Sequence, residues 1–293
     1  MKVLVLGGSG MLGSRYVESY VSEGHDVAYT YHNNPYEIDG ARSVRLDAAD
    51  FNSIVRLVES EKPELVIDTI AHPSVDFCDR DKIVAYKINA ASCEAAAIGA
   101  RKVGARLVYI SSAFVFGNRE GMLTEEDTPD PISYYGVLKL LGEQSAKIAP
   151  EHLILRTDQI FGWTKPGQKK TFVVSTLEKL ENGEKVEVCE DWYNNPTYVE
   201  DLVAATLRLV EKGKTGIYHA VGSSFLNRVE WAKKIARMFG KDESLVVGIN
   251  SAKLNLPAKR PKCRLSNAKI QRDSGVIMRD VDSAMEDMKR RRV

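Results

Sequence analysis

Tyr135 and Lys139 stand four residues apart in Ser133-Tyr134-Tyr135-Gly136-Val137-Leu138-Lys139, a stretch that reads as helix, so the two side chains share one face, one turn apart. A free phenol titrates near pH ~10 and is a poor proton donor at neutrality; a fixed ammonium beside it stabilises the phenolate and draws its pKa toward the working range. The pair reads as an acid/base unit. Taken alone, Tyr-x-x-x-Lys is equally an ordinary pattern on a solvated helix face, so the weight falls on the residues around it.

Gly7-Gly8-Ser9-Gly10-Met11-Leu12-Gly13 directly follows the apolar run Val3 to Leu6 and opens a helical pattern. Glycines at such a turn permit a tight bend, let the backbone approach a pyrophosphate and allow helix to pack closely on strand, while the helix N-terminus offers N–H groups to the anion. Gly7, Gly10, Met11, Leu12 and Gly13 form the expected dinucleotide cradle. NAD sites usually place an acid about 20 residues further on for the ribose 2′-hydroxyl. Here the second strand ends Tyr29-Thr30-Tyr31-His32-Asn33-Asn34, with no carboxylate before Glu37. That leaves room for a 2′-phosphate, with Arg15, His32 and Arg42 as candidate cations and Asp47 on the adenine side. NADP(H) is the preferred cofactor, with NAD(H) tolerated.

The elements that must hold these groups are short β-rich runs, Val3 to Leu6, Asp26 to Tyr31, Ser43 to Leu46, Leu65 to Thr69, Arg106 to Ile110 and Leu153 to Leu155. Helical patterns alternate with them at Leu12 to Glu23, Asn52 to Glu61, Val84 to Val103 and Tyr134 to Ile148. Continuous apolar runs fit strands buried on both faces of a parallel sheet. The alternation predicts an α/β fold, a Rossmann-type doubly wound parallel sheet with a smaller C-terminal substrate-binding lobe. After Arg156 the rhythm loosens, and Val199 to Lys212 with Gly216 to Ala220 then returns to the sheet. The expected division is interleaved: residues 1–157 with 196–222 form the NAD(P)-binding domain, and 158–195 with 223–293 the substrate lobe.

Composition narrows the class. Lys plus Arg is 41 against 40 for Asp plus Glu, so no global field draws the chain to nucleic acid or an anionic membrane. Cys78, Cys93, Cys189 and Cys263 are scattered, without a C-x-x-C pair or metal-ligand spacing, and read as reduced, buried thiols; no metal is expected. No run approaches the ~18 apolar residues of a membrane span, and the N-terminus reaches glycines too soon for a signal peptide. A cytoplasmic location is expected. Lys289-Arg290-Arg291-Arg292 reads as a solvated tail.

With the glycine turn, Ser111-Ser112-Ala113-Phe114-Val115-Phe116-Gly117 after the fifth strand and Tyr135-x-x-x-Lys139, the chain resembles the extended short-chain dehydrogenase/reductases, and more narrowly the dTDP-4-dehydrorhamnose reductase family. Supporting stretches are Ala71-His72-Pro73-Ser74-Val75-Asp76, Asn89-Ala90-Ala91, Asn195-Pro196-Thr197-Tyr198, Gly216 to His219 and Arg260-Pro261. The resemblance implies NADPH-dependent reduction of the C4 keto group of a 6-deoxy sugar nucleotide, a step of rhamnose biosynthesis. In it Ser112 hydrogen-bonds the reacting oxygen, Tyr135 donates the proton, and Lys139 tunes the tyrosine and binds the nicotinamide ribose. It assigns Ala71 and Asn89 to the cofactor side, Asn89 as proton relay or as a buried hydrogen-bonding residue. His72, Ala113, Phe114, Asn195 and Thr197 fall to the substrate pocket and Lys170 to the diphosphate. Trp163 and Trp192 offer stacking faces or core packing. The implied partner is a sugar nucleotide, and a homodimer is left open.

Two departures keep other members of the superfamily in view. The reductases often carry an acid and a tyrosine where this chain has Ala113-Phe114; Ala-containing versions are more like the nucleotide-sugar 4-epimerases and dehydratases. Leu138 stands where a small polar residue is common. A third reading is a non-catalytic NADP-binding regulatory subunit resembling that of methionine adenosyltransferase, against which the retained Ser112, Tyr135 and Lys139 argue.

Overall fold

The computed structural model describes residues 1–292. At its centre is a seven-stranded sheet made of β1 Lys2–Leu6, β2 Asp26–Tyr31, β3 Ala41–Arg45, β4 Leu65–Asp68, β5 Arg106–Ser112, β6 Glu151–Thr157 and β7 Gly216–His219. The order is β7-β6-β5-β4-β1-β2-β3, and every neighbouring pair is parallel. β1 lies between β4 and β2, so the winding reverses there, and the crevice at the carboxyl ends of these strands is where open α/β sheets take ligands.

The strand sequences explain why both faces are covered. Val3 and Val5 point into one apolar core with Tyr16, Val17, Leu202 and Leu209, while Leu4 and Leu6 point into the other with Ile54, Val58, Ala96 and Ala100. Alternate residues of one strand thus feed two helix layers. Met11–Ser22 and Val199–Glu211 cover the first face, Phe51–Glu61 and Ser92–Val103 the second. This is the predicted α/β fold, with all seven expected strands present. The helix predicted over 84–103 is divided: Lys82–Tyr86, a π turn over Lys87–Ala91, then Ser92–Val103. A π turn carries one extra residue in the helical ladder, and Asn89 at its centre is tied to the neighbouring loop by accepting from His72 N at 3.0 Å.

The smaller lobe consists of helices Phe172–Glu181 and Arg228–Met238 with paired short strands, Val186–Cys189 beside Val246–Ile249 and Tyr193–Asn194 against Leu226–Asn227. The chain then returns to the sheet: Ile270, Met278, Val281, Met285 and Met288 join the same core as Val3 and Val5. All four cysteines are free and buried. Among the described residues no helix is long and apolar enough to cross a membrane, and no group of three or more His, Cys, Asp or Glu side chains is arranged to hold a metal ion.

Candidate active site

β5 ends on Ser112, opposite Thr157 of β6. A 3-10 turn over Ala113–Val115 follows, capped by Ser112 Oγ, which accepts from Phe114 N at 3.2 Å. The helix Tyr134–Ala146 starts at Ser133, whose hydroxyl accepts from Gly136 N at 3.2 Å. Gly136 lets this helix press on the turn: a Cβ there would lie 2.1 Å from the Phe114 carbonyl oxygen. The close approach brings the Tyr135 hydroxyl near that of Ser112 and sets Phe114 edge-on to the tyrosine ring, centroids 5.6 Å apart. Lys139, one turn on, is 1% exposed. Its ammonium lies 4.2 Å from the Tyr109 ring centroid and has no hydrogen-bond partner among the described residues.

Burial pushes the Tyr135 phenol above its ordinary value; the nearby Ser112 hydroxyl opposes the shift, and Cys78 and Asp158 add to it. Burial also lowers Lys139, with Asp68 the main opposing charge. The expectation that Lys139 draws the phenol toward neutrality is therefore corrected for the protein alone. Desolvation penalises the charged form of both groups, and the ammonium sits over Tyr109 with Asp68 as its strongest charge neighbour. The protein holds Tyr135 as a neutral phenol, the proton-donating form that a reduction requires.

At the glycine turn Gly7 adopts φ +78°, and its N–H donates to Thr30 Oγ1 at 2.8 Å. A Cβ on Gly13 would lie 2.3 Å from the Gly7 carbonyl oxygen and 2.8 Å from Gly8 Cα. The helix that follows starts at Gly10 without a side-chain cap, which leaves its first N–H groups to an anion or to solvent. A cradle that admits no side chain and an unpartnered buried ammonium fit a nicotinamide dinucleotide. Gly13→Ala meets backbone on both sides, and overpacking of this kind costs about 1–3 kcal/mol. The expected result is NADP(H) binding weakened by about tenfold together with a lowered melting temperature; fluorescence titration and thermal melts read both.

The cations proposed for a 2′-phosphate separate by position. His32 follows β2 and approaches Asp47 Oδ1 at 4.0 Å, and that same oxygen accepts from Ala49 N at 2.8 Å. Arg42 is corrected: it pairs with Ala28 near the start of β3, away from the carboxyl edge, and donates to Glu61 at 2.9 Å. Arg15 is engaged by Glu18, Glu200 and the Trp163 carbonyl. Arg45, exposed and opposite Tyr31 at the crevice end of β3, is the cation that sequence reasoning missed.

On the substrate side a cavity of about 200 Å³ is lined by Phe114, Gln159, Lys169, Trp192, Asn194 and Arg228 among others. It shares Trp192 and Arg260 with a groove of about 1130 Å³ that carries Arg119, Lys259, Lys262 and Arg264. His72 stacks on Phe77 at 3.9 Å, and burial together with Lys169 holds its pKa below the usual histidine range. Ala113 is buried at the edge of this region, its carbonyl accepting from Cys263 Sγ at 3.6 Å. Ala71 is exposed three residues past the end of β4.

Five expectations change here. Lys170 turns to Glu178 of the following helix at 2.6 Å, and its neighbour Lys169 lines the cavity instead. Asn195 is core: its amide donates to the Cys263 carbonyl at 3.0 Å and accepts from Leu265 N at 3.2 Å, while Asn194 lines the cavity. Thr197 is buried and donates to the Asp158 carbonyl at 2.7 Å. Trp163 donates from its indole N–H to Met288 O and packs edge-on to Phe239, so of the two tryptophans only Trp192 faces the groove. Asn89 is spent structurally, its side chain accepting from His72 N and donating to the Ala85 carbonyl. Gln159, also missed, holds φ +39° at the cavity wall, a left-handed conformation that non-glycine residues adopt at a cost.

Residues 1–292 match the family model described as RmlD substrate binding domain. Similar curated proteins include the probable low-salt glycan biosynthesis reductase Agl14 of Haloferax volcanii, 30% identical and covering 89% of this chain and 88% of that one. The dTDP-4-dehydrorhamnose reductase of Escherichia coli is 27% identical, covering 96% and 94%. Among solved structures, the dTDP-4-dehydrorhamnose reductase of Bacillus anthracis in complex with NADP gives a TM-score of 0.87 at 26% identity, covering 99% of both chains. A hypothetical dTDP-4-dehydrorhamnose reductase from Sulfolobus tokodaii gives 0.84 at 32% identity, covering 96% and 98%. With its parallel sheet, glycine turn and Ser112-Tyr135-Lys139 group in one full-length match, the chain belongs to the RmlD substrate-binding domain family.

Proposed function

We propose that this protein is an NAD(P)-dependent oxidoreductase that reduces the C4 keto group of a 6-deoxy sugar nucleotide, as its relatives named dTDP-4-dehydrorhamnose reductase do. The observation that carries the reading is the meeting of the Ser112 and Tyr135 hydroxyls at the carboxyl edge of the sheet, one helical turn from the unpartnered Lys139 ammonium. The dinucleotide, when bound, supplies a hydride to the keto carbon. As negative charge grows on the oxygen, Ser112 donates a hydrogen bond to it and Tyr135 gives it a proton, so both groups act more strongly on the transition state than on the ketone. Lys139 holds the nicotinamide ribose and stabilises the phenolate left behind. Gly7, Gly10, Met11, Leu12 and Gly13 hold the pyrophosphate, and Ala71 borders the cofactor.

The substrate's sugar occupies the small cavity beside Phe114 and His72, and its diphosphate lies along the groove, where Arg119, Lys259, Arg260, Lys262 and Arg264 supply charge and donors. NADP(H) is the preferred cofactor and NAD(H) an accepted one, a reading supported by the NADP complex of the Bacillus anthracis relative and by His32 and Arg45 at the ends of β2 and β3. The expected outcome is a higher kcat/KM with NADPH than with NADH, and His32→Ala with Arg45→Ala brings the two together. Steady-state rates with each cofactor check it.

The reductase reading stands above the epimerase and regulatory-subunit readings because similar curated proteins such as those of Haloferax volcanii and Escherichia coli are named reductases and the three reacting side chains are all present. A thermal-shift panel of dTDP-, UDP- and GDP-sugars with NADP⁺ ranks the nucleotide by mass action, and NADPH oxidation with the 4-keto-6-deoxy sugar of the winning nucleotide tests the reaction. Protein that purifies with tightly held NAD and consumes no cofactor would refute it. The proposal also includes a cytoplasmic location, the interleaved domains 1–157 with 196–222 and 158–195 with 223–293, the second of which sends Ile270 to Met288 back onto the core of the first, and a homodimer through the helices that expose Ile83, Tyr86, Val137 and Leu141. Light scattering decides the last.

A further inference from the structure

Asp68 is the last residue of β4 and pairs in register with Tyr109 of β5. Register partners on neighbouring strands point to the same face, so the Asp68 carboxyl stands beside the ring over which the Lys139 ammonium lies. Asp68 is 1% exposed. Its Oδ1 accepts from Ile70 N at 3.0 Å, but Oδ2 has no hydrogen-bond partner, and neither has Lys139 Nζ. Two opposite charges buried under the same strand end, not in direct ion-pair contact and with spare valence on each, are a costly arrangement unless each acts through space as the other's counter-charge.

The other groups facing Lys139 do not supply the charge. Glu143 is bound by Arg156 through both oxygens, at 2.9 and 2.8 Å, and accepts from Ser111 Oγ at 2.6 Å. The Cys93 and Cys78 thiols are raised by burial, the latter to about 11, which keeps them neutral. Tyr109 is raised by burial as well and offers only its ring. Asp68 is raised by burial to about 6 and pulled back mainly by Lys139, for which it is in turn the largest opposing charge. We infer that Asp68 is a positioning residue, the counter-charge that holds the Lys139 ammonium in the crevice and sets the pH above which it is lost.

The kinetic part of this inference rests on the reductase reading; the pairing itself does not. Asp68→Asn keeps the shape and the acceptor for Ile70 N but removes the charge that opposes deprotonation of Lys139. The expected result is an alkaline limb of the kcat–pH profile displaced toward lower pH by about one unit, with Asp68→Glu restoring part of it. A purely structural role would lower the melting temperature and leave the limb where it is, and that result overturns the inference. A cycle of thermal melts on Asp68→Asn, Lys139→Met and the double variant needs no turnover. Each single change strands a buried charge and the double strands none, so the double is expected to melt higher than the two single shifts added together. Additive shifts, or a double variant that fails to fold as the singles do, overturn the pairing whatever the reaction proves to be.

Discussion

Tyr135→Phe is expected to lower kcat for NADPH oxidation by about 10²–10⁴-fold, while NADP(H) affinity and melting temperature stay near the wild-type values. The change removes one oxygen. The ring keeps its edge-on contact with Phe114, Ser133 still caps the helix through Gly136 N, and Gly136 still sits against the Phe114 carbonyl. Only the acidic proton and the hydroxyl's approach to Ser112 are lost. Ser112 retains its hydroxyl and can still orient the ketone, so binding persists while the developing alkoxide has no acid aimed at it. Steady-state and single-turnover rates with equilibrium cofactor titrations separate the two effects. Turnover unchanged in this variant would remove the tyrosine from the mechanism.

The scaffold was legible because its signals are repeated and local. Runs such as Val3 to Leu6 and Leu65 to Ile67 are apolar at every position, and only a strand covered on both faces has use for that. Helical spacing singled out Tyr135 and Lys139, but their weight came from the glycine turn and from the resemblance to the extended reductases, which also supplied the role of Ser112. Several of the failures are by one position, or at one end of an element. Lys169 and Lys170 are indistinguishable as a pair, yet the helix capped by Thr171 starts immediately after them and turns Lys170 to Glu178. Asn194 and Asn195 lie on consecutive positions of extended chain, where successive side chains take opposite sides, so one reaches the cavity and the other the core. Arg42 and Arg45 share a strand but only Arg45 is at the carboxyl edge. The direction taken by Lys139 was not readable either, because Asp68 and Tyr109 come from other strands and meet it only through sheet order.

Glu143→Gln is expected to be among the most destabilising conservative substitutions in the chain, because it removes a charge and almost no volume. Glu143 is the third member of the stripe Tyr135, Lys139, Glu143 along one helix face, and it is fully buried. Its two oxygens receive Arg156 Nε and a terminal Arg156 nitrogen, and one of them also accepts from Ser111, the residue before Ser112. Arg156 is 2% exposed, lies 5.0 Å from the Phe116 ring centroid, and has His219 Nε2 at 3.4 Å. His219 cannot take over as counter-charge: burial and Arg156 hold its pKa down to about 3, so it stays neutral. The neutral amide would leave the guanidinium buried without an anion, a defect that costs about 3–5 kcal/mol and a melting temperature lower by on the order of 10 °C. Pairing Glu143→Leu with Arg156→Met should regain much of that loss, since apolar groups of similar size need no partner. The double change should also reduce kcat, because leucine cannot accept from Ser111, whose hydrogen bond helps hold the strand end that presents Ser112. Calorimetric melts of both variants decide the matter: a Glu143→Gln protein as stable as the wild type would mean that Arg156 reaches solvent or another anion, and that this pair does not anchor the catalytic edge.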